Sequence, residues 1–268
     1  MLKDITLGQY FPGNTVAHRL DPRTKILLVV LYIAALFSAK SFVGYALMAL
    51  TLFICVRISR VRFKTMVKGL KPVVFIVVFT AILNLFFTPG QRNLVELGPI
   101  HISDTGLFNA VFMVLRILLL IMGTFLMTYT TSPISLTDGL ERLLNGLKRF
   151  HVPVHELAMM MSIALRFIPT LIEETDKIMS AQKARGADFE SGNLLDKARA
   201  MLPILVPLFI SAFRRADELA TAMECRCYHG GEGRTKLHVL KYQRRDYIAL
   251  ALGAVILAAV LVLRHFGL

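Results

Sequence analysis

The stretch ILLVVLYIAALFSAKSFVGYALMALTLFICV, residues 26–56, decides how the chain is threaded. Two apolar runs, Ile26 to Phe37 and Phe42 to Val56, flank a polar interruption, Ser38-Ala39-Lys40-Ser41. Each run is shorter than the roughly 20 residues a helix needs to cross a bilayer. Together they form either one overlong helix or a tight hairpin of two short spans. The next stretch, RISRVRFKTMVKGLK (57–71), carries six basic residues and no acid. Such loops concentrate on the cytoplasmic side. A hairpin at 26–56 places the N-terminus, this basic loop and the charged region 130–246 on that one side; a single helix would put the N-terminus outside. The hairpin is the expectation.

Further spans are expected at Val73–Phe87, Gly106–Tyr129 and Tyr247–Leu263, five in all. The loop Thr88–Thr105, with Arg92 against Glu96 and Asp104, reads as external. The composition agrees: 268 residues, 55% hydrophobic, no Trp, and mean hydropathy +0.60. Those values are too apolar for an ordinary soluble domain. The net charge of +13 could suggest nucleic acid, but cytoplasmic loops of a multi-pass protein account for it, and no nucleic-acid partner is expected. Three cysteines (Cys55, Cys225, Cys227) give no disulfide framework and fit a reducing compartment. The first twenty-five residues hold prolines and charges, so no cleavable signal peptide is visible.

From Thr130 to Asp246 helical periodicity persists, but charges recur every turn or two. Helices of this kind belong at an interface or in water. The first is expected over Ser135–Phe150, capped by Ser135 or Thr137 and ended by His151-Val152-Pro153. The second runs from Val154 to Arg185 with a kink at Pro169, and Gly186 ends it in the left-handed conformation. The third runs from Leu195 to Cys227, bent at Pro203 and Pro207 and stopped by Gly230, Gly231 and Gly233. The expected fold is therefore an all-α polytopic membrane protein of about five transmembrane helices plus a cytoplasmic or interfacial domain of three amphipathic helices. Its divisions are 1–131, 132–246 and 247–268.

Two segments share a ten-residue frame: DKIMSAQKAR (Asp176–Arg185) and DELATAMECR (Asp217–Arg226). Small residues beside these ends (Ala181, Ala184, Gly186, Ala222) let another backbone come close. An arginine so flanked can enter a groove and bond a carboxylate or carbonyls in bidentate fashion. A matched pair of ends implies a matched pair of receivers, hence a dimeric or pseudo-dimeric partner. The plainer alternative is two solvated charges at helix C-termini, favourable by ~0.3–1 kcal/mol each.

Other chemistry is thin. GGEGRTK has neither the spacing of a Walker motif nor a preceding strand, so no ATP binding through such a motif is expected. Cys225, Cys227 and His229 offer three ligands in one tight cluster, unlike the spaced pairs of structural zinc sites; His151 and His155 are separated by a proline. No metal site is expected. Arg116, within the span FMVLRILLLIM, must snorkel, pair inside the protein or meet a membrane partner; Asn84 poses a weaker form of the same question.

The residues DPRTK (21–25), LRFIPTLIEETDKIMSAQKARG (165–186) and the second arginine motif resemble the T component of energy-coupling factor transporters, over essentially the whole chain. The resemblance implies a non-catalytic membrane scaffold of an ABC-type importer for vitamins or transition-metal ions in a prokaryotic cell membrane. It would join two cytoplasmic ATPases, which carry the ATP and Mg, to a membrane-embedded substrate-binding S component. Ala184-Arg185-Gly186 and Cys225-Arg226-Cys227 would be the ATPase-docking motifs at the ends of crossed coupling helices. Asp176, Ala181, Pro169, Asp217, Ala222, Pro203 and Pro207 would support them, and Arg116 is a possible S-component contact. Cysteines in place of the common Ala and Gly leave the fit of the second groove open. The contrasting reading is a stand-alone secondary carrier or membrane enzyme. A carrier places polar groups at mid-bilayer in broken helices, whereas these spans are almost uniformly apolar.

Overall fold

Polar caps settle residues 26–56 in the computed structural model, which describes residues 10–87, 93–97, 100–189, 193–231 and 239–266. Asp21 accepts from the Arg23 N–H, and Pro22 fills the first turn, where a missing N–H costs nothing. The helix so started, α1 (Pro22–Ser38), gives way to extended backbone at Ala39. Ser41 then caps α2 (Phe42–Ser59) by accepting from the Gly44 N–H at 3.3 Å. The stretch is a hairpin of two helices.

The basic stretch 57–71 is not a bare loop. Arg60 takes a left-handed φ of 54° after α2, and a short helix α3 (Phe63–Leu70) follows. Met66 and Leu70, one turn apart, are buried, while Lys64 and Lys68 are exposed; a charge density high enough to mark topology hid this period. α3 meets α4 (Val74–Phe87) at a bend of 63°. Within 88–105, expected as a loop, β1 (Asn93–Leu97) and β2 (Ile100–Ser103) pair antiparallel. Arg92 and Gly233, singled out above, lie outside the described residues.

α5 (Asp104–Thr130), α6 (Pro133–Leu144), α7 (Val154–Ala184), α8 (Leu194–Cys225) and α9 (Arg244–His265) complete the chain. α6 starts earlier than expected: the Ser132 hydroxyl, not Ser135 or Thr137, accepts from the Ser135 N–H at 3.2 Å, while Thr137 turns its hydroxyl to the Ile134 carbonyl at 2.7 Å. It also stops earlier. Asn145-Gly146, both weak helix formers, open a 3₁₀ segment Asn145–Phe150 that His151 closes at a φ of 59°.

Among the described residues α2, α5, α7 and α9 are long and apolar enough to cross a membrane, and the bent α3–α4 pair passes as a fifth. α7 qualifies through its N-terminal half, since its C-terminal half carries Glu173, Glu174, Asp176 and Lys177. α1, at 17 residues, is about 25 Å long. The chain is a multi-pass, all-α membrane protein with, among the described residues, a single two-stranded β-hairpin.

Two compact units divide it: Gly8–Leu140 with Leu240–Leu268, and a second containing Glu141–Val239. In the first, α1, α2, α5 and α9 bury Leu36, Met48, Leu52, Val56, Tyr129 and Val260. Antiparallel α1 and α5 are cross-linked along their length. Lys25 Nζ donates to the Thr130 carbonyl at 2.8 Å, Tyr32 OH to the Leu119 carbonyl at 3.2 Å, and Arg116 Nη2 to the Ala39 carbonyl at 3.4 Å. Gly123 makes room for the Tyr32 ring, since a Cβ there would stand 2.5 Å from Tyr32 Cε1. Buried Asp246 ties in α9, its Oδ1 accepting the Asp21 N–H at 2.9 Å and its Oδ2 the Gln243 N–H at 2.8 Å.

Candidate functional site

The repeated ten-residue frame folds twice into the same object. In α7 the Ser180 hydroxyl donates to the Asp176 carbonyl at 2.7 Å; in α8 the Thr221 hydroxyl donates to the Asp217 carbonyl at 2.9 Å. Arg185 and Arg226 are both the C-cap residue. Past each lies the double closure of a Schellman motif. Gly186 N–H bonds Lys183 O at 3.0 Å and Ala187 N–H bonds Gln182 O at 3.0 Å. Cys227 N–H bonds Glu224 O at 2.8 Å and Tyr228 N–H bonds Met223 O at 3.0 Å.

The match explains one of the two cysteines. Cys227 holds the left-handed place that Gly186 holds in the first tip, φ 55° against 85°. The third helix therefore ends at Cys225, ahead of Gly230 and Gly231, because the Schellman closure already terminates it. All six residues of the two triplets, Ala184-Arg185-Gly186 and Cys225-Arg226-Cys227, are exposed. Among the described residues no three His, Cys, Asp or Glu side chains gather to hold a metal ion.

α7 and α8 are latched together where their frames approach. Glu174 receives the Ser211 hydroxyl on Oε1 and Arg215 Nη2 on Oε2, the latter at 2.9 Å. Farther along, Gln182 Nε2 lies 3.5 Å from the Pro203 carbonyl. That carbonyl is free because Pro207 has no N–H to return to it. Both helices run on through their prolines (Pro169; Pro203 and Pro207). The pairing order, 174 with 211 and 215 but 182 with 203, makes the two helices antiparallel at the crossing. Their C-terminal arms leave it in opposite senses, about 16 Å to Arg185 and about 20 Å to Arg226. An angle above 90° between arms of that length sets the two arginines roughly 26–36 Å apart. Asp176 and Ala181 lie on one arm and Asp217 and Ala222 on the other, so each tip carries its own copy of the frame.

Arg116 sits in the other unit, away from these tips in sequence and in role. Its Nε donates to Tyr45 OH at 2.9 Å, and its guanidinium lies 5.5 Å from the Phe37 ring centroid. It borders an open cleft of about 390 Å³ with Lys40, Asn84 and Asn109. Asn84 spends its amide on the Thr80 carbonyl at 2.9 Å. The spans thus satisfy their polar groups largely within the protein.

The sequence reading passed over Glu174, Ser211 and Arg215. Their signal was present: Ser211 and Arg215 are four apart on one helix face, and Glu174 precedes the frame residue Asp176. It gave Lys25, the last residue of DPRTK, no role of its own, although the side chain is buried at 7% exposure; a lysine one residue before an apolar run ordinarily reads as a flank.

The fold defines a class first, a multi-pass helical membrane protein that also carries a latched pair of long helices with matched, exposed arginine tips. The family described as CbiQ, cobalt transport protein, matches residues 13–237. The energy-coupling factor transporter transmembrane protein EcfT of Thermosediminibacter oceani is 56% identical over 248 residues, 92% of this chain and 93% of its own. The EcfT protein of Clostridium kluyveri is 55% identical over 264 residues (98% and 97%), and that of Bacillus subtilis 48% over 261 residues (97% and 98%). The chain belongs to this family, the transmembrane EcfT components of energy-coupling factor transporters.

Proposed function

We propose that this chain is the non-catalytic coupling scaffold of an ABC-type importer, carrying motion from two ATPase subunits to a substrate-binding S component during uptake of vitamins or transition-metal ions. Arg185 and Arg226 are the docking prongs, one per ATPase. The observation that carries the reading is the identity of the two tips: same cap position, same closure, same exposure. Built alike but tens of ångströms apart, they suit two like receivers better than one. ATP and Mg reside on the ATPases, not on this chain. The basic stretch 57–71, both tips and the N-terminus face the cytoplasm.

The secondary-carrier and enzyme alternatives are less well supported, because the spans are almost uniformly apolar and Asn84 spends its amide on Thr80 while Arg116 is tied to Tyr45 and Ala39. Affinity purification of the tagged chain from its own membranes, with mass spectrometry of what comes with it, tests the reading. The expected companions are two ABC-type ATPases and a small membrane protein. Recovery of the chain alone, with transport by that single chain in vesicles, would favour a carrier.

A further inference from the structure

Gly230 and Gly231 do not end α8, and each has a different task. Gly230 takes a φ of 98° and turns the chain where an L side chain would be strained. Gly231 is outside the left-handed region; what it needs is space. A Cβ there would stand 2.5 Å from His155 Cδ2 and 2.8 Å from His155 Cγ. Those atoms sit next to the α7 backbone, in a ring that is pinned. Its Nδ1–H donates to Glu141 Oε1 at 3.0 Å, since an ionised carboxylate only accepts, and the two side chains are 16% and 14% exposed. Its Nε2 is buried with no hydrogen-bond partner among the described residues, so the ring is bonded on one side and packed on the other.

This contact closes a triangle. One side is α7 from His155 to Glu174, about 28 Å. Another is α8 from the partners of Glu174, Ser211 and Arg215, to Cys227, about 21 Å. The third is the short run from Cys227 to Gly231, which reaches at most ~14 Å. With its sides bounded the triangle cannot open, so the tie limits how far the C-terminal arm of α8 swings from α7. Beyond the latch α7 continues to Arg185, so the same angle governs the distance between the two arginines. On an arm of about 20 Å, a swing of ~15° would move Arg226 by ~5 Å.

We propose that the seat of Gly231 on His155 sets the separation of the Arg185 and Arg226 tips, which makes His155 a positioning residue for the pair. Two linked contacts gain over one only while both can engage together, and the gain is lost when their spacing misfits the receivers. The use of the spacing rests on the docking reading above; the spacing itself does not.

The test measures the tip-to-tip distance by double electron–electron resonance on the full chain in nanodiscs. Spin labels are carried by Ala184→Cys and Glu224→Cys, with Cys55→Ser, Cys225→Ser and Cys227→Ser removing the native thiols. The parent should give one narrow distance distribution. Gly231→Ala and His155→Ala should each broaden it or move its mean by about 5 Å. Gly231→Ala should add nothing to His155→Ala, where the ring it strikes is gone. In pull-downs with the unlabelled, tagged chain, Gly231→Ala should retain several-fold less ATPase while both arginines are present. On top of Arg185→Ala or Arg226→Ala it should remove nothing more. An unchanged distance in both variants would overturn the proposal. So would full ATPase retention in Gly231→Ala despite an altered distance, or a loss that persists on top of Arg185→Ala, the mark of a damaged tip and not of a changed spacing. If Arg185→Ala and Arg226→Ala themselves retain the ATPases fully, the docking reading fails, and the distance alone still decides the spacing.

Discussion

Replacing Cys227 with glycine should stabilise the end of α8. Both tips close with the same two bonds, but the left-handed residue is glycine in one and cysteine in the other. A left-handed L-residue costs roughly 1–2 kcal/mol because its Cβ crowds the following carbonyl oxygen. Glycine's greater freedom in the unfolded chain offsets about 0.4–1 kcal/mol of that gain. The net is about 0.5–1 kcal/mol, a factor of roughly 2–5 in the local opening equilibrium. Gly186→Ala should cost α7 a similar amount, and cleanly, since a Cβ built on Gly186 meets nothing within 4 Å. Hydrogen–deuterium exchange of the peptides around 227–228 and 186–187 reads both effects. Exchange should slow about 2–5-fold in Cys227→Gly and quicken comparably in Gly186→Ala. If Cys227→Gly leaves exchange unchanged or faster, the equivalence of the two tips is mistaken.

Gly123→Ala drives a methyl into the Tyr32 ring and with it strains the Tyr32–Leu119 bond; a loss of ~1–3 kcal/mol should appear as a lower melting temperature in detergent, and an unchanged one would mean that α1 and α5 pack less closely than described. Burial works against ionisation of Asp21, but its Arg23 hydrogen bonds and the charges of Arg23 and Lys25 prevail and hold the carboxyl below its usual value. Its contribution is therefore complete above the unfolded value of about 3.9 and is lost as pH falls through the lower folded value. Asp21→Asn should flatten that acid limb of stability against pH; an identical limb would exclude Asp21 as its source. A double-mutant cycle between Glu174 and Arg215, half-exposed partners, should return a coupling of about 0.2–1 kcal/mol, and strict additivity would remove the latch from the account.

What could be read from the sequence was set by periodicity and by repetition. The apolar runs gave α2, α5, α9 and the bent α3–α4 pair as spans, but not α7, whose apolar N-terminal half also qualifies and which the recurring charges of 130–246 had assigned to the cytoplasmic side. Two serines flanking Ala39-Lys40 were enough to break α1 from α2 because Ser41 could cap what followed. The ten-residue frame marks both helix tips, since its hydroxyl and its arginine, with the residue that follows, each have a fixed backbone task. α3 was missed because only Met66 and Leu70 mark its buried face, inside a stretch dominated by charge. The end of α8 was misplaced because a left-handed cysteine has no sequence signature, while the glycines beyond it do. The latch of Glu174 on α8 joins residues 37 and 41 positions apart, a tertiary fact that no local pattern encodes.

The docking of the two arginines is tested most directly by pulling the ATPase subunits down with the tagged chain from solubilised membranes. Wild type is compared with Arg185→Ala, Arg226→Ala and the double variant. Each prong, as a charge-assisted contact, should be worth roughly ten- to a hundredfold in affinity, so each single variant should retain less ATPase and the double variant essentially none, while still eluting as a folded membrane protein. Co-purification of the ATPases with the double variant at the wild-type level would contradict the account.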